Sequence, residues 1–353
     1  MADKKKTNTY IIGAIAVILI IVIVAGVLVL TKGNNNANAQ TTTIVANVNK
    51  DCAGTPWFVG VEKGFFNNSG TNFVDAGHLD WSLQPAALAS GQTNVYSGHP
   101  NTIINLIKAG AGVKGVLLDG TEPVNGNAPE NLGKDHMHFL VLENSTLRTP
   151  ADIPTFVQAN NRKVKIAVGA TGICADLELN AWLRKNNIPK DDVDLVILSD
   201  PLQEAALRQG TVDVITLHPP FFTAAEKHGG VRIYFTSTDA FGTNAGTSLL
   251  VFTEDFIKNN PDTVRKFSKA FREALIWAND HRDEAGAITA RNIGLDASTV
   301  HWYSYSGVIT DEKIQPWIDA MVADGLLQPG EIKASDLYTT EFSDVWDTSV
   351  TDT

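Results

Sequence analysis

His99 and His218 close two stretches of nearly the same sequence. LQPAALASGQTNVYSGHP occupies 83–100 and LQEAALRQGTVDVITLHP occupies 202–219. Nine of eighteen positions agree without a gap, at an offset of 119 residues. Solenoid repeats have periods of ~20–50 residues, so this offset fits two related half-structures better. Imidazole can donate to an anion, stack on a ring or ligate a metal. The chain has only two cysteines, Cys52 and Cys174, too few for a disulfide framework. Taken with His99 and His218 they form a set suited to a soft metal, set against the plainer alternative of two small buried thiols. In His136-Met137-His138 the two imidazoles would share one strand face, a solvated one on this pattern. No base and nucleophile stand out, and Asp75, Asp80, Glu122 and Glu130 show no spacing suited to acid–base work. No catalytic residue, resident metal or cofactor is therefore expected.

Positioning these side chains falls to alternating strands and helices. Strands are expected over 43–49, 93–97, 114–118, 137–142, 164–168, 195–198, 212–217, 233–235 and 249–252. Helices are expected between them, starting at Thr55-Pro56, Pro100, Ala175, Asp200-Pro201 and Pro219. This order indicates parallel α/β units. Over 261–280, Val264, Phe267, Phe271, Leu275 and Ala278 share one helix face, and shorter helices follow as a C-terminal addition. The extended apolar segments near 137–142 and 248–252 are the expected crossovers between two lobes. The expected division is 1–40 as anchor and tether, 41–142 plus 248–353 as a discontinuous first lobe, and 143–247 as the second.

Ligands of open α/β sheets sit beyond the strand carboxyl ends, at helix N-termini. Four loops qualify, at 51–55, 97–100, 169–174 and 217–220. Gly54, Gly98 and Gly172 let backbone approach a ligand, Thr55, Ser97 and Thr171 add hydroxyls, and Trp57 offers an apolar wall.

At the N-terminus, Lys4, Lys5 and Lys6 precede an uncharged apolar stretch at 11–30. At ~1.5 Å per residue it spans about 30 Å, the thickness of a bilayer core. The lysines stay cytoplasmic and the body lies outside the cell membrane. A cleaved signal, leaving a secreted body, is the alternative. The following TKGNNNANAQTTT reads as a tether. The formal charge of −11 argues against nucleic acid as a partner. Two glycosylation sequons, at 67–69 and 144–146, are present.

The body resembles the solute-binding proteins of ABC importers, in the nitrate, sulfonate and taurine group related to thiamine-pyrimidine binders. The resemblance rests on TPWFVGVEKGFF, ALASGQTNVYSGHP, LRTPADI, EAALRQGTVDVITLHPPF and TSLLVFTEDFIKNNPDTVRKFSKAFREALIW, met in order over about 42–290. It implies a two-lobe periplasmic-binding-protein-like fold of type II, two hinge crossovers and no catalysis. It also implies a monomer that clamps a small anionic solute and presents it to a permease with a cytoplasmic ATPase. Ligand contacts carried over from the family fall on 52–57, 97–101, 170–174 and 218–220. The site residues so assigned are Cys52, Gly54, Thr55, Trp57, Ser97, Gly98, His99, Asn101, Thr171, Gly172, His218 and Pro219. These loops hold no Arg or Lys. The chemistry therefore leaves open a pyrimidine, a metal-containing solute, or an enzyme on the same fold.

Overall fold

The computed structural model describes residues 42–80, 82–296 and 299–352. The expected anchor and tether lie outside the described residues. Among those described, no helix is long and apolar enough to cross a membrane. Residues 42–353 group as one compact unit.

Ten strands build the body: β1 Thr43–Ala46, β2 Asn72–Asp75, β3 Val95–Gly98, β4 Val113–Gly120 and β5 His138–Leu142, then β6 Val164–Val168, β7 Val193–Ile197, β8 Val214–Leu217, β9 Val231–Thr236 and β10 Ser248–Thr253. They pair in the orders β1-β2, β3-β10-β4 and β7-β6-β8-β5-β9. β6 runs parallel to β7 and β8, whereas β5 and β10 run antiparallel to both of their neighbours. The five-stranded sheet is thus mixed, the three-stranded one pairs only antiparallel, and β1-β2 is parallel. The near-continuous apolar runs of β8 and β10 are explained by burial along almost their whole length.

The expected crossovers need correction. Residues 138–142 are an inner strand of the five-stranded sheet, and 248–253 an inner strand of the three-stranded one. Extension and apolarity there mark strands buried on both faces, not connectors. The chain crosses from the first sheet to the second through 121–137, and returns through 237–247.

The sequence repeat is a structural repeat. The Val45 N–H donates to Asn94 Oδ1 at 2.9 Å, and the Asn94 N–H bonds Val45 O at 3.0 Å. In the second copy the Lys165 N–H donates to Asp213 Oδ2 at 2.9 Å, and the Asp213 N–H bonds Lys165 O at 2.8 Å. These clamps fasten β1 to the start of β3 and β6 to the start of β8. Gln84 Nε2 donates to Leu79 O at 2.8 Å, and Gln203 Nε2 donates to Leu198 O at 3.0 Å. Each glutamine thereby secures the turn into its own short helix.

Helix Pro261–Asp280 buries Val264, Phe267, Phe271, Leu275 and Ala278, the face expected from their spacing. They pack with Ile44, Phe66, Leu250 and Phe252 in a core behind the first sheet. The C-terminal segment is more than an addition: the Leu118 N–H donates to Gly307 O and the Ser304 N–H to Asp119 O, each along β4.

Candidate functional site

Each repeat delivers a histidine to the same place. β3 ends at Gly98, and His99 caps helix Pro100–Lys108 in extended conformation, with Pro100 at its first position. β8 ends at Leu217, and after His218 the chain enters helix Phe221–His228, two residues later than expected. Between these tips lies a cavity of about 50 Å³. A single water needs ~10–15 Å³ on this measure, so a few waters or one small solute fill it. Its walls include Cys52, Ala53, Ser97, His99, His136, Cys174, His218, Ser248 and His301. Four of the chain's eight histidines therefore meet at one small space.

The imidazoles differ in state. His99 Nδ1 lies 2.7 Å from Thr247 O. A carbonyl only accepts, so Nδ1 carries the proton and Nε2 keeps its lone pair. Burial lowers the His99 pKa to about 4, and the ring stacks on Trp317 at 5.0 Å. His218 Nδ1 instead faces Asp200 Oδ2 at 2.8 Å. Burial opposes its charge, but the attraction and hydrogen bond of Asp200 raise its pKa well above the usual value. His136 sits at the centre, with ring centroids 4.5 Å from His99, 4.9 Å from His218 and 5.8 Å from His301. Both of its ring nitrogens are buried without a hydrogen-bond partner. Burial, then the neighbouring His99, His218 and His301, hold its pKa well below normal. Burial also lowers His301 to about 3.

Both cysteines are free and buried. Cys174 is the first residue of helix Cys174–Lys185, and its Sγ lies 3.7 Å from His218 Nε2. Asp200, His218 and Cys174 thus form a carboxylate–imidazole–thiol row that sequence spacing concealed. The Cys52 thiol is pushed up by burial and by Asp51 and Asp200, which keeps it protonated. Beneath the cavity, burial raises Asp119 to about 6 against the hydroxyls of Ser248 and Ser97, and Ser248 Oγ donates to it.

Of the sequence-assigned residues, Cys52, Ser97, Gly98, His99 and His218 line the cavity. Three others bridge its two sides: Asn101 Nδ2 donates to Gly172 O at 2.8 Å, and Pro219 O accepts the Cys52 N–H at 2.9 Å. Trp57 does not reach the cavity. Its ring packs 4.7 Å from Phe271 and 5.4 Å from Phe73, because its helix turns that face into the aromatic core. Thr55 is buried against Thr289, with 2.6 Å between hydroxyls. Thr171 is exposed and outside the lining. At Gly54 and Gly98 packing alone already excludes a side chain. An added Cβ would come within 2.1 Å of Asn49 O at Gly54, and within 2.1 Å of the Tyr96 ring at Gly98. Sequence spacing missed His301, and it placed His136 on a solvated face. A wider hollow of about 470 Å³ shares Asp51, Ile173 and His218 with the cavity and adds Lys50, His78 and Asp200. Lys50 stands two residues before the 52–57 loop.

Two similar halves of an α/β protein meet over this cavity. Residues 37–294 match the NMT1-like family, and the chain belongs to that family. It is 28% identical over 165 residues to a "putative aliphatic sulfonates-binding protein" of Escherichia coli K12, covering 47% of this chain and 48% of that one. It is 29% identical over 140 residues to the nitrate/nitrite binding protein NrtA of Synechococcus elongatus, covering 38% and 31%. The chain thus spans about half or less of the curated relatives it matches. Among solved structures, the ligand-binding component of an ABC-type import system from Staphylococcus aureus, with zinc bound, aligns with a TM-score of 0.68. That alignment has 13% identity and covers 86% of this chain and 99% of that one. The periplasmic aliphatic sulphonate binding protein SsuA of Escherichia coli aligns at 0.64 with 18% identity, covering 84% and 92%. These likenesses show an α/β periplasmic-binding-protein-like fold.

Proposed function

We propose that the chain is the extracytoplasmic solute receptor of an ABC importer. It captures one small anionic solute of the sulfonate, taurine or nitrate class between two lobes and delivers it to the permease. The observation that carries this reading is the cavity itself, enclosed between the two repeat tips and bridged by the Asn101–Gly172 and Cys52–Pro219 bonds. Its donor for an anion is the imidazolium of His218. Its volume favours the smallest members of the class. The relatives named for sulfonate and nitrate binding support the same choice.

In this account the crossings at 121–137 and 237–247 act as the hinge, and closure creates the surface that the permease reads. Residues 11–30 anchor the body to the cell membrane, and the receptor works as a monomer. Calorimetric titration with nitrate, methanesulfonate and taurine tests the proposal. One-site saturation by at least one of them is expected; no heat from any of the three would sink it.

The Asp200–His218–Cys174 row favours a second reading, thiol chemistry on the captured solute. Intact-mass measurement after incubation separates the two. A receptor returns the solute unchanged and gains no mass at Cys174.

A further inference from the structure

The cavity holds more ligating nitrogen and sulfur than anion capture requires. One ligand atom each from His99, His136 and Cys174 lie within 4.8 Å of one another. His218 Nε2 already stands 3.7 Å from Cys174 Sγ. Ligand atoms at the corners of a tetrahedral zinc site, with bonds of about 2.0–2.3 Å, lie about 3.3–3.8 Å apart. The His218–Cys174 contact is therefore at that spacing, and the spacings among His99, His136 and Cys174, at most 4.8 Å, need contraction by at most about 1.5 Å.

Outer partners point the same way. The Thr247 carbonyl takes the proton of His99 Nδ1 and leaves Nε2 free, while Asp200 holds Nδ1 of His218 and turns Nε2 toward Cys174. Metal-bound histidines are characteristically held by a carbonyl or carboxylate on the far nitrogen. The independent observation is His136. A buried imidazole with neither nitrogen bonded is costly unless something occupies the space it faces. It lies within ring-contact distance of both His99 and His218.

We propose that His99, His136 and Cys174, with His218 beside Cys174 as the fourth ligand, form a site for one borderline divalent transition-metal ion of the Zn²⁺ class. Imidazole and thiolate select that class over Mg²⁺ and Ca²⁺, which favour oxygen. On binding, the Cys174 thiol loses its proton and His218 gives up its Nε2 proton. Metal and anion would compete for the cavity, since both call on His218, but the metal site stands or falls independently of delivery to a permease.

Titration of the metal-stripped full chain with Co²⁺ and Zn²⁺, with no candidate anion present, tests it. One ion per chain is expected, and the cobalt form should show a thiolate-to-metal charge-transfer band. Cys174→Ser should abolish the band. Cys174→Ser and His136→Ala should each weaken Zn²⁺ by about 100-fold or more, exceeding the 10–100-fold that removal of an outer partner such as Asp200 costs. His228→Ala, on an exposed helix end, should change nothing. Melting curves establish that each variant is folded, and the cobalt band reports on the cysteine in the unaltered chain. Absence of saturable uptake, or wild-type affinity in both folded ligand variants, would overturn the proposal. Failure of the anion titrations alone leaves this result intact, so the two readings fail separately.

Discussion

His99 and His218 occupy equivalent positions of one repeat and have opposite chemistry. The frames beneath them match: a glutamine tied to the carbonyl five residues back, an Asn or Asp clamping the preceding strand, then strand, His and Pro. What differs is the group facing Nδ1. A carbonyl at His99 leaves a neutral imidazole, whereas the Asp200 carboxylate keeps His218 charged. The frame fixes where each ring stands, and its far-side partner fixes its protonation. One duplicated scaffold thus places a lone pair and a donor on opposite walls of one cavity.

The largest expected effect comes from breaking a frame. Gln203 is fully buried, and its Oε1 accepts the Thr216 N–H at 2.7 Å while its Nε2 donates to Leu198 O. Gln203→Leu leaves both backbone groups unpaired and should cost about 3 kcal/mol in urea unfolding. A loss below about 1 kcal/mol would mean that the repeat frame does not hold the second tip.

Next comes the carboxyl group beneath the neutral copy. Asp119 has a folded pKa of about 6 against an ordinary 3.8. An acid with a raised folded pKa destabilises the fold when ionised, so the cost grows as pH rises from about 4 to about 6 and is full above that. Asp119→Asn should therefore stabilise by on the order of 2–3 kcal/mol at pH 8, with the gain vanishing near pH 4. A pH-independent difference would contradict the burial of its charge.

Exchange of the two clamps sharpens the comparison further. Asn94 Nδ2 also donates to Thr43 O at 2.9 Å. Asn94→Asp sets a carboxylate against that carbonyl and should cost about 2 kcal/mol. Asp213→Asn keeps the Lys165 N–H bond and loses only the partly exposed fork of Arg162, at 2.6 and 2.8 Å. Its cost should be about 0.5–1 kcal/mol. Equal losses in denaturant titrations would show that the clamps are not distinguished by their partners.

The repeat made the two tips legible from sequence, because the Gln, His and Pro of the frame are among its identities. Apolar spacing likewise located the buried face of helix Pro261–Asp280. The centre of the cavity was not legible. His136 and His138 look like neighbours on one strand face, but β5 begins only at His138. The backbone before it follows the crossing, so His136 enters the cavity while His138 pairs with Asp135 and Glu226 at 3.0 and 2.8 Å. His301 arrives from the C-terminal segment bound along β4, a contact of long sequence separation that local pattern does not encode. Trp57 sits in a candidate loop region by sequence, yet helical rotation turns it into the core. The Cys174–His218–Asp200 row was hidden for the same reason as His301: its members converge from three elements.

The central claim is that solute is held between the two repeat tips. Ala53 lines the cavity and is half-buried, so Ala53→Leu should fill much of the ~50 Å³ without opening the core. Calorimetric titration of this variant beside the unaltered chain, with the anion that saturates it, is the most direct test. The account predicts a cooperative melt in both proteins and no saturable binding in the variant. Unchanged affinity in a folded Ala53→Leu protein would place the solute elsewhere.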